Sequence, residues 1–144
     1  MHLLFYAYDD CERNSEFMYA LVEFDENYLR KLENRCAAAR EIQRDRDGSI
    51  YAIEFWDQRA RWFGGDGFCL TEEQDNALSG VGWVVWPSGP PLTVDDLRTD
   101  CDVVACCPDG DVCWSSTGKH SDIRVNTLSI SVTELRELFA KVNA

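Results

Sequence analysis

Cys101, Cys106, Cys107 and Cys113, followed by His120, form the densest run of metal- or redox-competent side chains in this 144-residue chain. Zinc takes tetrahedral thiolate and imidazole ligands, usually delivered as pairs two to four residues apart so that a turn can close on the ion. Those pairs are missing. Cys106 and Cys107 are adjacent, and neighbouring residues of a strand point to opposite faces. With Asp109-Gly110 as a two-residue hairpin turn, Cys106 and Cys113 face each other across the hairpin. That suffices for two ligands or a cross-strand disulfide, but not for a metal centre. The seven cysteines are odd in number and irregular in spacing, which argues against a closed disulfide framework. Most read as core thiols, and no metal or other cofactor is expected.

A second pattern, Gln43-x-Asp45-x-Asp47-Gly48-Ser49-Ile50 with Glu54 beyond it, reproduces calcium-loop positions from the third onward. Calcium needs several anionic oxygens, and Gln43 stands where the first carboxylate belongs. The flank Tyr51–Trp56 also favours a strand over an exiting helix, so the segment reads as a helix-to-strand turn.

Catalytic chemistry has little support. Only His2 and His120 titrate near neutrality, and no nucleophile-elbow context surrounds Cys113, Ser115 or Ser116. Gly64-Gly65-Asp66-Gly67 lacks the Lys-Ser or Lys-Thr of a phosphate-binding loop. Carboxylate pairs such as Asp95-Asp96 and Glu72-Glu73 are too abundant to mark a glycosidase. The balance favours a protein that is not an enzyme.

Charge is more informative. The chain carries a formal net charge of -12, yet 45% of its residues are hydrophobic and five are Trp, so the charge rides on a folded body. Such a body repels nucleic acid and anionic membrane and favours a basic partner. From Glu26 to Trp62, seven acids face eight bases; from Phe63 to Asp122, eleven acids face only Arg98 and Lys119. Tryptophans are interleaved with this acidic half, and Trp anchors interfaces while acids steer partners. The candidate protein-binding residues are Asp66, Glu72, Glu73, Asp75, Trp83, Trp86, Asp95, Asp96, Asp100 and Asp102.

The elements that must position these groups follow from periodicity. Leu3–Tyr8, Phe17–Phe24, Ser49–Trp56, Val81–Trp86, Val103–Cys107, Val112–Ser116 and Asp122–Thr127 read as strands. Asp25 caps a long helix over about 26–44, where Leu29, Leu32, Cys36 and Ala39 make one apolar face. Thr71 and Gln74 form a capping box for a short helix near Glu72–Leu78, and Thr93 caps a turn to Leu97. Ser131 and Glu134 cap a C-terminal helix over about 132–142. Residues 1–144 therefore read as one α+β domain, a mainly antiparallel sheet of five to seven short strands with both long helices packed on it.

No apolar run is long enough for a signal peptide or a membrane span, so a cytoplasmic location is expected. The expected function is a non-catalytic inhibitor or interaction protein that binds a basic protein surface, compatible with a homodimer. Proteins of this size, acidity and class include toxin-neutralising immunity proteins and phage- or plasmid-borne inhibitors, which suggests bacterial or mobile-element origin. The alternative is a small enzyme or ligand-binding domain with a Trp- and Cys-lined pocket near His120.

Overall fold

Asp25 begins the element on which the rest of the chain packs. Its carboxylate accepts from the Tyr28 backbone N–H at 2.7 Å, which satisfies one of the free donors of the first helical turn. In the computed structural model, which describes residues 1–6, 19–45, 51–63, 70–86, 102–117 and 124–144, the helix α1 (Glu26–Asp45) buries Tyr28, Leu29, Leu32, Cys36 and Ala39. These lie three and four residues apart, so they share one face.

Before α1 come β1 (His2–Tyr6) and β2 (Tyr19–Glu23), and after it β3 (Ile53–Asp57), β4 (Ala60–Phe63), α2 (Glu72–Val81) and β5 (Trp83–Trp86). The last third holds β6 (Asp102–Cys106), β7 (Asp111–Thr117), β8 (Arg124–Ser131) and α3 (Val132–Val142). The class is α+β, but the single sheet of five to seven strands is not what forms. Among the described residues, eight strands make two antiparallel sheets of four, ordered β4-β2-β1-β5 and β3-β6-β7-β8.

The division arises at a corner that the apolar pattern does not announce. β3 pairs with β6 in the second sheet, and β4 pairs with β2 in the first. Between them the chain turns on Asp57, whose carboxylate accepts from the Arg59 backbone N–H at 3.3 Å. Sequence reading ended the strand at Trp56 and did not foresee β4.

β1 is buried on both faces. Leu3 and Phe5 join the main core with Ala20, Val22, Val104 and Trp114, while Leu4 packs with Leu21 and Leu78 of α2 on the opposite face. Burying such a side chain contributes roughly 1.5–3 kcal/mol relative to exposure. Trp114, 0% exposed, lies at the centre of the core, with the Phe24 ring edge-on at 5.7 Å and Phe5 at 5.9 Å.

A buried indole N–H needs an acceptor. Trp114 Nε1 donates to the Tyr28 hydroxyl at 3.0 Å, and that hydroxyl donates to Asp57 Oδ2 at 2.7 Å. Arg59 closes the chain of contacts. Its guanidinium lies 4.5 Å from the centre of the Tyr28 ring and donates to Asp25 Oδ2 at 3.0 Å. The network thus ties the start of α1, the corner between the sheets and the central strand β7 together.

The hairpin between β6 and β7 corrects one expectation. Cys106 pairs with Val112 and Cys113 with Ala105, so Cys106 and Cys113 do not face each other. Pro108 presets the backbone for the second position of a four-residue turn, in which Gly110 N–H donates to Cys107 O at 3.0 Å. Gly110 then takes φ 98°, and the Cys107 N–H reaches Asp111 O at 2.8 Å. The loop is longer than the two-residue turn expected from Asp-Gly, and the register slips by one. A one-residue slip moves a side chain to the other face.

The segments 7–18, 46–50, 64–69, 87–101 and 118–123 lie outside the described residues. With them lie the Asp47-Gly48 part of the expected helix-to-strand turn, the Gly64-Gly65-Asp66-Gly67 run and the Thr93 cap.

Candidate protein-binding surface

Acids on α1 sit within reach of cations. Glu26 accepts from Arg30 at 3.3 Å, one turn along the helix, and Glu41 from Arg44 at 2.8 Å. Arg136 of α3 donates to Glu26 at 2.7 Å and forks onto both carboxylate oxygens of Glu33, pinning α3 against α1. The two carboxylates hold the Arg136 guanidinium even more firmly protonated than usual, Glu33 foremost. Asp25 is held below the usual carboxylate range, first by the Tyr28 backbone N–H and then by Arg59. Of the α1 acids, only Asp45 in the last turn lacks an ion pair among the described residues.

α2 is built differently. Thr71 Oγ1 accepts from the Gln74 N–H at 3.1 Å while the Gln74 side chain accepts from the Thr71 N–H at 3.0 Å, closing the capping box that the sequence predicts. Gly82 ends the helix in the left-handed conformation at φ 88°, three residues later than expected, so Val81 belongs to α2 and not to β5. Leu78 docks on Leu4 and Leu21. That leaves Glu72, Glu73 and Asp75 exposed in the first turn, with no cation in ion-pair range among the described residues. The positive end of the helix dipole offsets their mutual repulsion, so the fold tolerates three carboxylates there.

Trp83 and Trp86 occupy β5, which among the described residues is an edge strand paired with β1. Both are half-buried: Trp83 packs against the main core and Trp86 against the Leu4–Leu21–Leu78 cluster. Among the described tryptophans Trp56 faces outward, 65% exposed on β3. It alternates with Phe55, whose ring lies beneath Lys31 Nζ at 4.3 Å. Glu54, also exposed, shares the Trp56 face of that strand. Trp56 is not among the residues selected from the sequence; the alternation Glu54-Phe55-Trp56 is the signal that marks it. Asp102 ends β6 opposite Asp57 and Ser116. Asp66, Asp95, Asp96 and Asp100 lie outside the described residues, as does His120.

The four described cysteines are free thiols. Cys36 of α1 and Cys106 share a hydrogen bond in the core, and that bond together with burial pushes the Cys106 thiol up. Burial pushes the Cys107 thiol up to about 11 and raises Cys113 as well. A nucleophilic cysteine needs the opposite shift, which falls on Cys36, lowered by its hydrogen bond to Cys106 but sealed in the core at 2% exposure. Among the described residues no three His, Cys, Asp or Glu side chains converge as a metal site, and no helix is long and apolar enough to cross a membrane.

Comparison with protein families, curated proteins and solved structures finds no match for this chain.

Proposed function

We propose that this chain is a non-catalytic interaction protein, of the inhibitor or immunity-protein kind, whose acidic surface binds a basic protein. The observation that carries this reading is the contrast between helices. Glu26, Glu33 and Glu41 are engaged by arginines, whereas Glu72, Glu73 and Asp75 stand exposed in one turn with no described cation near them. Carboxylates not used to hold the fold are free to steer and contact an oppositely charged surface. The acids at 66, 95, 96, 100 and 102 extend the same excess along the sequence. The free thiols of Cys36, Cys106, Cys107 and Cys113 fit a reducing compartment, which supports a cytoplasmic location.

The test is comparative capture. Wild-type protein and the triple variant Glu72→Gln, Glu73→Gln, Asp75→Asn are immobilised side by side and exposed to lysate of the source cell at low salt. The expected result is one or more basic proteins retained by the wild type, lost from the variant, and bound again as purified components. Equal retention by both baits overturns the assignment of this surface.

A further inference from the structure

The corner that hands the chain from one sheet to the other also shapes a recess. A cavity of about 120 Å³ is lined by His2, Leu21, Glu23, Gln58, Arg59 and Arg61. It opens on the face of the first sheet that α2 covers elsewhere, since Leu21 both lines it and packs against Leu78. The strand register places its walls. Leu21 lies opposite Arg61, and Glu23 opposite His2, while Arg59 reaches the recess from the residue just before β4. In a chain of net charge -12, this is a place where two arginines and a histidine meet.

We propose that this recess binds a compact oxyanion, a phosphate or carboxylate group, held chiefly by Arg61 with Arg59 beside it. Arg59 is fixed in advance by Asp25 and by stacking on Tyr28, and its contact with Asp25 uses one of the five guanidinium N–H donors. Arg61 is exposed and has neither an ion pair nor a hydrogen bond to any described residue. Because Asp25 already engages Arg59, Arg61 is the arginine of the lining with no ion pair among the described residues. Leu21, only 9% exposed, gives the recess an apolar floor that strengthens polar contacts made above it.

Glu23 is the one acid in the lining, 3.8 Å from His2 Nε2. It disfavours a fully ionised guest and accepts from a ligand that brings its own O–H, so a singly charged oxyanion fits best. The volume suits one such group with water and excludes anything large. The negative field of the rest of the molecule opposes anion entry, and affinity in the millimolar range is expected.

Isotope-labelled protein titrated with inorganic phosphate, and separately with acetate, against chloride at constant ionic strength tests the proposal by amide chemical shifts. Saturable shifts at Leu21, Arg59 and Arg61 are expected. Arg61→Ala and Arg61→Gln should weaken binding about tenfold, the loss of one charge-assisted contact, while keeping a dispersed native spectrum. Arg44→Ala, in the last turn of α1, should bind like the wild type. Saturation by phosphate alone assigns a phosphate-bearing ligand, by acetate alone a carboxylate, and by both the shared oxyanion chemistry. Failure of both anions to saturate, or affinity unchanged in the Arg61 variants, overturns the site.

Discussion

α1 and α2 carry acids at similar density, yet their carboxylates do different work. At α1 every acid but Asp45 is engaged: Asp25 caps the helix and holds Arg59, Glu26 and Glu33 hold Arg136 of α3, and Glu41 pairs with Arg44. On α2 the fold is made by Thr71, Gln74, Leu78 and Gly82, and the acids project away from it. Charge is therefore structural at one helix and available at the other. The same residue types, read from composition alone, do not reveal which is which.

The comparison can be broken or sharpened by substitution. The largest effect is expected at the network beneath α1. Tyr28→Phe removes the partner of both the Trp114 indole and Asp57, leaving a fully buried donor unsatisfied, and should cost about 2 kcal/mol in denaturant unfolding. Unchanged stability would show that the network is incidental.

Asp25→Ala should cost about 1 kcal/mol near neutrality through loss of the cap. Because Asp25 is held below the usual carboxylate range, its contribution is full above the pKa of the unfolded chain and is lost as pH falls through the folded value. The gap between variant and wild type should therefore close in strong acid. Arg136→Ala should cost no more than about 1 kcal/mol, since its side chain is partly exposed, and the cost should shrink as salt rises.

The smallest effect belongs to α2. The triple variant Glu72→Gln, Glu73→Gln, Asp75→Asn should shift stability by less than about 0.5 kcal/mol, because lost dipole interaction and relieved repulsion oppose each other. A loss comparable with that of Asp25→Ala would make the α2 acids structural and erase the contrast.

Local signals in the sequence were sufficient for the helices. The Asp25 cap, the Thr71–Gln74 box and the apolar spacing of α1 depend on residues within a few positions of one another and appear as read, while at α3 Ser131 accepts from the Glu134 N–H without the return bond of a capping box. What was not legible depends on distance along the chain or on turn geometry. Nothing near Trp114 announces that its indole meets Tyr28, 86 positions earlier, and nothing near Arg136 announces Glu33. The pairing of Cys106 with Val112 hung on Pro108, which outweighed the Asp109-Gly110 signal in setting the turn. β4 escaped notice because it is only Ala60–Phe63 and follows β3 after two residues, so no glycine, proline or long polar break separates the two strands. That same strand supplies the recess at Arg61, so the missed strand and the missed site share one cause.

The most direct test of the central claim is the association rate of the captured basic partner measured at two salt concentrations. Three proteins are compared: the wild type, the α2 triple variant, and Glu33→Gln with Glu41→Gln on α1, both of which are ion-paired. The wild-type rate should fall at least about tenfold between dilute and concentrated salt, as exposed charges become screened. The α2 variant should associate more slowly at low salt and respond less to added salt, and charge reversal at Asp95, Asp96, Asp100 and Asp102 should slow it in the same way. The α1 variant should track the wild type. Equal slowing by the α1 and α2 variants, or a rate indifferent to salt, would contradict the division of labour between the two helices.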